Sequence, residues 1–587
     1  MAMAEMEKHP DSYMNDGPFI NKLLIPNGNL TYEQVATQTI SVEEKKIIND
    51  FVYLLEKSKQ LFQQLRHLPQ HGHYNWQVHF SRTFDCFSKL WKFQQDHRSV
   101  LDTKYGLQRW QIGEIASRIG QLYYHYYLRT SDTNYLHEAL IFYLAIRQRD
   151  YYSKFDSEHD YVICERPLFG VNTAHSRIHG IMVKKLRYYA RFLVVSIMVN
   201  KMDLVLELKT ELAVLIDELS GAHIPTEVDE WKGILNEVTA FRSALCHLTV
   251  SRADTSGVIL SHRLISENMV LPEITLSPNP LKLQHALIVG TKIGQPKVTE
   301  LSLDMYRMGS ILEKNPKCLS PLKNPIKQYL YKPSASELMC SLSEMGSILQ
   351  KQSVQLIYLS GNNLAYTDRG GGQDAYTSDG GMHFSHKNTV DLKTSSRYSP
   401  DLLHAEDINP FLRYPTLLIV EGEDKSFFNS TSAVFRQPVV VLLSPKLIPH
   451  TLKGDKIGSL MTLFLHCPMM AMTLLCNIDQ ISDTQWRKGL AIIKGLLAEI
   501  LTIISSSKNI HSHIIQLLDD PFIRLILLRF CLFTAVLQMH TAFKTEEYYP
   551  TSLPSLKFAE ICSKPVVKRG INDIANILES VVLFSAP

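Results

Sequence analysis

Three groups of residues in this chain have the types that can do chemistry. Glu421-Gly422-Glu423-Asp424 sets three carboxylates within four positions, directly after an apolar run. Carboxylate oxygens hold hard divalent cations, and the carboxyl end of a strand in an open parallel sheet is where an ion or nucleotide would sit. Ser360-Gly361-Asn362-Asn363 and Ser444-Pro445-Lys446 follow comparable apolar runs and would share that end. A metal site would also need hydroxyls at that strand end, where the Ser360 run offers only Ser360, so solvated loop carboxylates are the favoured reading. His67, His71, His73 and His79 crowd a second stretch. No cysteine joins them and Asp85 is the nearby carboxylate, which favours a solvated interhelical loop over a metal site. Third, Gly370-Gly371-Gly372 and Gly380-Gly381 lie in a Gly/Ser-rich stretch running to Ser399. It lacks the G-K-[ST] ending of a phosphate loop and reads as a flexible insertion over 361–400.

Other reactive signatures are missing. The nine cysteines form no C-x2-C pair, Cys467 and Cys476 being the closest two, which points to reduced thiols rather than a disulfide frame or zinc module. Neither a G-x-S-x-G elbow nor an H-E-x-x-H helix occurs. No catalytic, cofactor-binding or metal residue is assigned, and the expectation is a protein that is not an enzyme. The alternative is a metal- or nucleotide-binding enzyme that uses the acidic strand end of the C-terminal half.

The densest pattern is aromatic. From Tyr105 to Tyr152, two helical periods face each other across the polar turn Thr130-Ser131-Asp132-Thr133-Asn134. Trp110, Gly113, Ala116, Gly120, Tyr123, Tyr124 and Tyr127 recur at steps of three and four, and the small residues let a second helix approach closely. Ala139, Phe142, Tyr143 and Ile146 line the second helix, which ends in Arg147 and Arg149. Gly120 with Tyr123, and Ala139 with Tyr143, match a tetratricopeptide-like hairpin, although about seven extra residues separate its halves. An ordinary antiparallel helix pair fits equally. Trp110, Tyr123, Tyr124, Tyr127 and Tyr143 are the candidate partner-binding residues, because rings that stay exposed anchor interfaces.

These rings sit in an N-terminal half that reads as all-helical. Residues 1–40 are polar and expected to be mobile. A helical domain follows over 41–248, with about seven helices in antiparallel pairs. Ser41 and Glu44 have capping-box spacing, and Trp76, Phe80, Phe84, Phe87 and Trp91 make a core stripe. Phe155 to Ile181 reads as irregular, and Val183 to Asn200 as helix. Residues 249–333 read as a Pro-rich connection with short strands, including Val258-Ile259-Leu260 and Ala286 to Val289. Over 334–545, apolar strands at Val354–Leu359, Thr416–Val420 and Pro438–Leu443 alternate with helices. That rhythm predicts an α/β domain with a small, mostly parallel sheet of three to five strands. Residues 546–587 form a C-terminal segment. The fold class expected is therefore α plus α/β.

Bulk properties bound the function. The chain has 587 residues, enough for two or three domains, and a formal net charge of +3. That charge, with no long Lys/Arg run, predicts no direct nucleic-acid partner. The acidic N-terminus lacks an apolar signal core. Leu460 to Leu475 is too short to span a bilayer, and Phe522 to Gln538 carries Arg524 and Arg529 within its apolar run, so both read as buried helices with no membrane partner.

The blocks YGLQRWQIGEIASRIGQLYYHYYLRTSDTNYLHEA from Tyr105, VKKLRYYARF from Val183, ELSLDMYRM from Glu300, NPIKQYLYKPS from Asn324, SVQLIYLS from Ser353 and GSLMTLFL from Gly458 together resemble the SCAI family, suppressors of cancer cell invasion. They keep one order across most of residues 40 to 540. The resemblance implies a nuclear cofactor, also placed in the cytoplasm, that acts as a corepressor. It would restrain myocardin-related transcription coactivators and the serum response factor complex downstream of Rho–actin signalling. It supplies no catalytic residues.

Overall fold

Ser41 starts the first helix. Its hydroxyl accepts from the Glu44 backbone, and the Glu44 carboxylate accepts from the Ser41 backbone, which satisfies two otherwise orphaned donors. The computed structural model describes residues 41–68, 75–152, 173–220, 225–245, 248–251, 279–292, 294–314, 322–364, 381–383, 402–403, 405–422, 435–449 and 457–584. The N-terminal segment, Val258-Ile259-Leu260, Glu423, Asp424 and nearly all of the Gly/Ser-rich stretch fall outside them.

The described residues divide into two compact units. One holds residues up to Asn236 except Arg129–Ser131, and the other holds those three residues and everything from Glu237 onward. In the first, α1 (Val42–Arg66) pairs with α2 (Trp76–Asp96), and α3 (Arg109–Thr130) leads through an Asp132 cap into α4 (Thr133–Gln148). Then come α5 (Thr173–Met198), α6 (Met202–Ser220) and α7 (Pro225–Leu245), which continues into the second unit. Leu208, Leu212, Leu215 and Leu219 of α6 are buried at helical spacing.

The second unit is built on a six-stranded sheet. Its strands are β1 (Lys282–Gly290), β2 (Ile326–Tyr331), β3 (Ser353–Ser360), β4 (Thr416–Glu421), β5 (Val439–Leu443) and β6 (Thr551–Leu553), in the spatial order β6-β5-β4-β3-β1-β2. Five strands are parallel, and β6 closes the β5 edge antiparallel. The order turns back between β1 and β3, the switch point of a doubly wound sheet. Every residue of β3, β4 and β5 is buried, as strands covered on both faces require. Alternate residues serve opposite cores. Ile288, Leu356, Ile419 and Leu442 face a cluster that includes α8 (Leu303–Ile311), α10 (Leu460–His466), α11 (Pro468–Leu475), α12 (Asp483–Ser506), α13 (Pro521–Met539) and α14 (Pro565–Ile577). Val289, Ile357, Leu359 and Val441 face α9 (Ala335–Ile348).

Several elements differ from expectation. The helix read from Val183 begins ten residues earlier, at Thr173, because Gly180 is carried inside α5 rather than ending a loop; residues 153–172 lie outside the described residues. Two strands from the stretch read as a connection, β1 and β2, belong to the main sheet, so it exceeds the expected five strands. Leu460 to Leu475 is two helices, since Pro468 has no N–H to continue the first. Helix α13 agrees with expectation: it is a core helix, its most apolar stretch 94% buried.

Candidate partner-binding surface

The small residues of α3 do what their spacing predicts. A Cβ on Gly113 would meet Tyr151 Cβ at 2.9 Å, and one on Gly120 would meet the Tyr143 ring at 3.0 Å. The Tyr143 ring then stacks on Phe192 at 5.7 Å, and Tyr188 donates its hydroxyl to the Tyr143 carbonyl at 3.1 Å. Tyr143 and Tyr127 are each only 1% exposed. Both are core rings, which corrects the expectation that they offer themselves to a partner; for Tyr143 the cause is the close approach of α3 at Gly120.

The other three candidates are half-buried, and they lie in two settings. Tyr123 packs at 4.9 Å from Phe84 and stacks at 5.8 Å on Phe142, and Tyr126 meets Tyr135 edge-on at 4.6 Å. Phe84, Trp91, Tyr123, Tyr126, Tyr135 and Phe142 are all half-buried, so α2, α3 and α4 share a partly open aromatic strip. Phe80 and Phe87, from the same α2 stripe, are fully core. Tyr124 sits beside His125 and Tyr127.

Trp110 opens a different surface. One and two turns on along α3 come Glu114 and Arg118, which pair at 2.6 Å. Lys184 of α5 reaches the same Glu114 at 2.9 Å and lies 4.7 Å over the Trp110 ring. Burial alone would raise the Glu114 pKa, but Arg118 and Lys184 overcome it and bring it down to about 2. This charged cluster joins residues some 70 positions apart in sequence, and helical period alone gives no sign of it.

Arg147, expected to serve the end of α4, bridges instead to Glu207 and Glu211 of α6, with Tyr189 donating to Glu211. Of the four histidines, His67 is exposed, His79 is half-buried, and His71 and His73 lie outside the described residues.

In the second unit the three strand ends do come together. Glu421 aligns with Ser360, and Ser360 with Gly290, while Ser444 bonds to Gly422. Ser360, Glu421 and Ser444 are buried rather than solvated. Glu423 and Asp424, the rest of the acidic trio, lie outside the described residues. Among the described residues no group of three His, Cys, Asp or Glu is arranged to hold a metal ion.

Comparison with known proteins bears on both units. The family model described as Protein SCAI matches residues 53–543. Protein SCAI of Mus musculus is 39% identical over 571 residues, covering 94% of this chain and 91% of that protein. Protein SCAI of Homo sapiens is 38% identical, covering 98% of this chain and 94% of its own length. A Protein SCAI homolog of Dictyostelium discoideum is 28% identical, with 91% and 90% covered. Among solved structures, Chaetomium thermophilum Raptor overlaps 60% of this chain and 33% of its own at a TM-score of 0.34 and 11% identity.

Proposed function

The chain belongs to the SCAI family, and we propose that it works as a nuclear transcription cofactor that acts by binding protein. In this reading it restrains myocardin-related coactivators of serum response factor, downstream of Rho–actin signalling, and neither catalyses a reaction nor reads DNA. The observation that carries the proposal is the breadth of the family match, which runs through both compact units rather than one shared module. The helical unit is the docking platform, with α3 and α4 as a tetratricopeptide-like hairpin whose open rings are Trp110, Tyr123 and Tyr124.

A reporter driven by serum response factor tests it in cells. Expression of the chain lowers reporter output after serum stimulation, and the effect disappears when the coactivator is removed. Unchanged output at matched expression, with the chain in the nucleus, would contradict the proposal.

A further inference from the structure

The helices around Trp110 collect more positive charge than they neutralise. Lys184, Arg187 and Arg191 lie at i, i+3 and i+7 on α5, so they share one face, and Lys184 fixes that face against α3 through its contacts with Glu114 and Trp110. Arg118 stands one turn beyond Glu114 on the facing helix, and Arg66 at the end of α1 lies within electrostatic reach of Arg187. Among the described residues, Glu114 and Glu227 are the carboxylates that act on Arg187. Glu114 is already shared by Arg118 and Lys184, and Glu227 is bonded by His179 at 2.8 Å.

Arg187 and Arg191 are left over. Neither forms an ion pair or a side-chain hydrogen bond with any described residue, although both are only half exposed. Arg187 feels burial first and then the like charge of Arg191, which together outweigh the pull of Glu114 and Glu227 and disfavour its charged form. A fold gains nothing by holding two half-buried guanidinium groups together without acceptors. An incoming carboxylate pair would change the sign, because each planar fork accepts one carboxylate in bidentate geometry.

We propose that the face formed by Arg118, Lys184, Arg187 and Arg191 is a docking site for an acidic segment of a protein partner. The proposal rests on the reading that this chain works through protein contact and adds the chemistry of what it grips. Charge complementarity selects the occupant. An acidic peptide brings isolated carboxylates that seat on Arg187 and Arg191 and leaves Glu114 with its own cations. A nucleic-acid strand brings an unbroken row of phosphates and would lay some of them against Glu114; it also prefers a long exposed cationic track over a short one.

The test uses the full-length chain and a fluorescein-labelled peptide of about twelve residues rich in Asp, Glu and Leu, with its Asn/Gln counterpart and a single DNA strand of similar length as comparison probes. The acidic peptide binds, the amide counterpart does not, and raising the salt weakens binding. Arg187→Gln with Arg191→Gln lowers peptide affinity at least tenfold while leaving the thermal midpoint unchanged or higher, because a repulsion has been removed. Arg187→Lys with Arg191→Lys keeps the charge but loses the fork and falls between.

Equal binding by wild type and the Gln double variant overturns the site, as does absence of peptide binding. A lowered melting point in the Lys double variant would make the pair structural and overturn it too. Preference for the DNA strand, lost in the Gln variant, would assign the face to nucleic acid. Asp156, Glu158 and Asp160 follow Tyr152 in the sequence, and tighter peptide capture after Asp156→Asn, Glu158→Gln and Asp160→Asn would overturn the partner as occupant in favour of these residues. Coactivator capture separates the two levels: retention by the Gln double variant sinks this site and leaves the proposed function standing. Peptide binding at this site without coactivator capture does the reverse.

Discussion

Gly120 of α3 is the seat of the Tyr143 ring of α4: a Cβ at position 120 would stand 3.0 Å from Tyr143 Cζ and 3.2 Å from both Cε atoms. The ring cannot retreat, because Phe192 and Tyr188 close behind it. Gly120→Val should therefore destabilise the chain by about 3 kcal/mol through overpacking and a stiff side chain in the helix. Gly233 in α7 is the control, with nothing within 4 Å of its Cβ position. Gly233→Ala should stabilise by ~0.5–1 kcal/mol from helix propensity alone. Urea unfolding of both variants checks the pair, and equal effects would contradict the seat.

Acid should weaken this protein in two windows. His285 in β1 is 5% exposed, and burial lowers its pKa from 6.5 to about 4, so the folded chain carries it neutral. Between those values the unfolded chain binds a proton that the native state does not, and stability falls as pH drops from 6.5 towards 4. Glu114 acts lower. Its contribution is complete above its ordinary value of 4.5 and is lost as pH falls towards about 2. Glu114→Gln should abolish the lower window and cost on the order of 1–3 kcal/mol at neutral pH, because Arg118 and Lys184 lose their shared acceptor. Unfolding free energies measured from pH 7 to 3 check both; a flat profile would contradict them.

Arg529, 1% exposed in α13, donates through Nη1 to the carbonyls of Leu465 and His466. Those carbonyls end α10 where Pro468 forbids continuation, so the guanidinium caps a buried break. Arg529→Met fills similar volume but leaves the carbonyls without that donor, and a loss of about 2–4 kcal/mol is expected. A stability change near zero would show that the break satisfies itself.

The candidate rings should separate by burial. Tyr127→Ala and Tyr143→Ala should each cost ~3–5 kcal/mol of stability, as large core truncations do. Trp110→Ala and Tyr123→Ala should cost less and reduce partner capture instead. The comparison needs a melting curve and a binding measurement on each variant. Reduced capture by Tyr143→Ala at full stability would return that ring to the interface.

The periodic parts of this fold were legible in the sequence. Ser41 with Glu44 announced the first helix, and apolar runs announced β3, β4 and β5. Pairing was not legible. Ala286 to Val289 looked like a strand, but local pattern does not say that β1 would sit beside β3 at the switch point. The stretch from Phe155 to Ile181 read as irregular, yet its last residues, Gly180 included, belong to α5, whose burial from Ile181 onward is not visible in the local pattern. The same limit applies to the site. Trp110 to Tyr127 marked the helix, but only its packing decides that Tyr127 is core while Tyr123 is partly open. The meeting of Glu114 with Lys184 is a long-range contact that no spacing encodes.

The most direct measurement is complex formation between the purified full-length chain and a purified myocardin-related coactivator, each at ~10 µM, followed by size-exclusion chromatography and calorimetry. The account predicts a co-eluting complex that weakens in Trp110→Ala and Tyr123→Ala chains of unchanged melting point. Separate elution and no heat of binding, with the chain melting cooperatively as a folded protein, would contradict it.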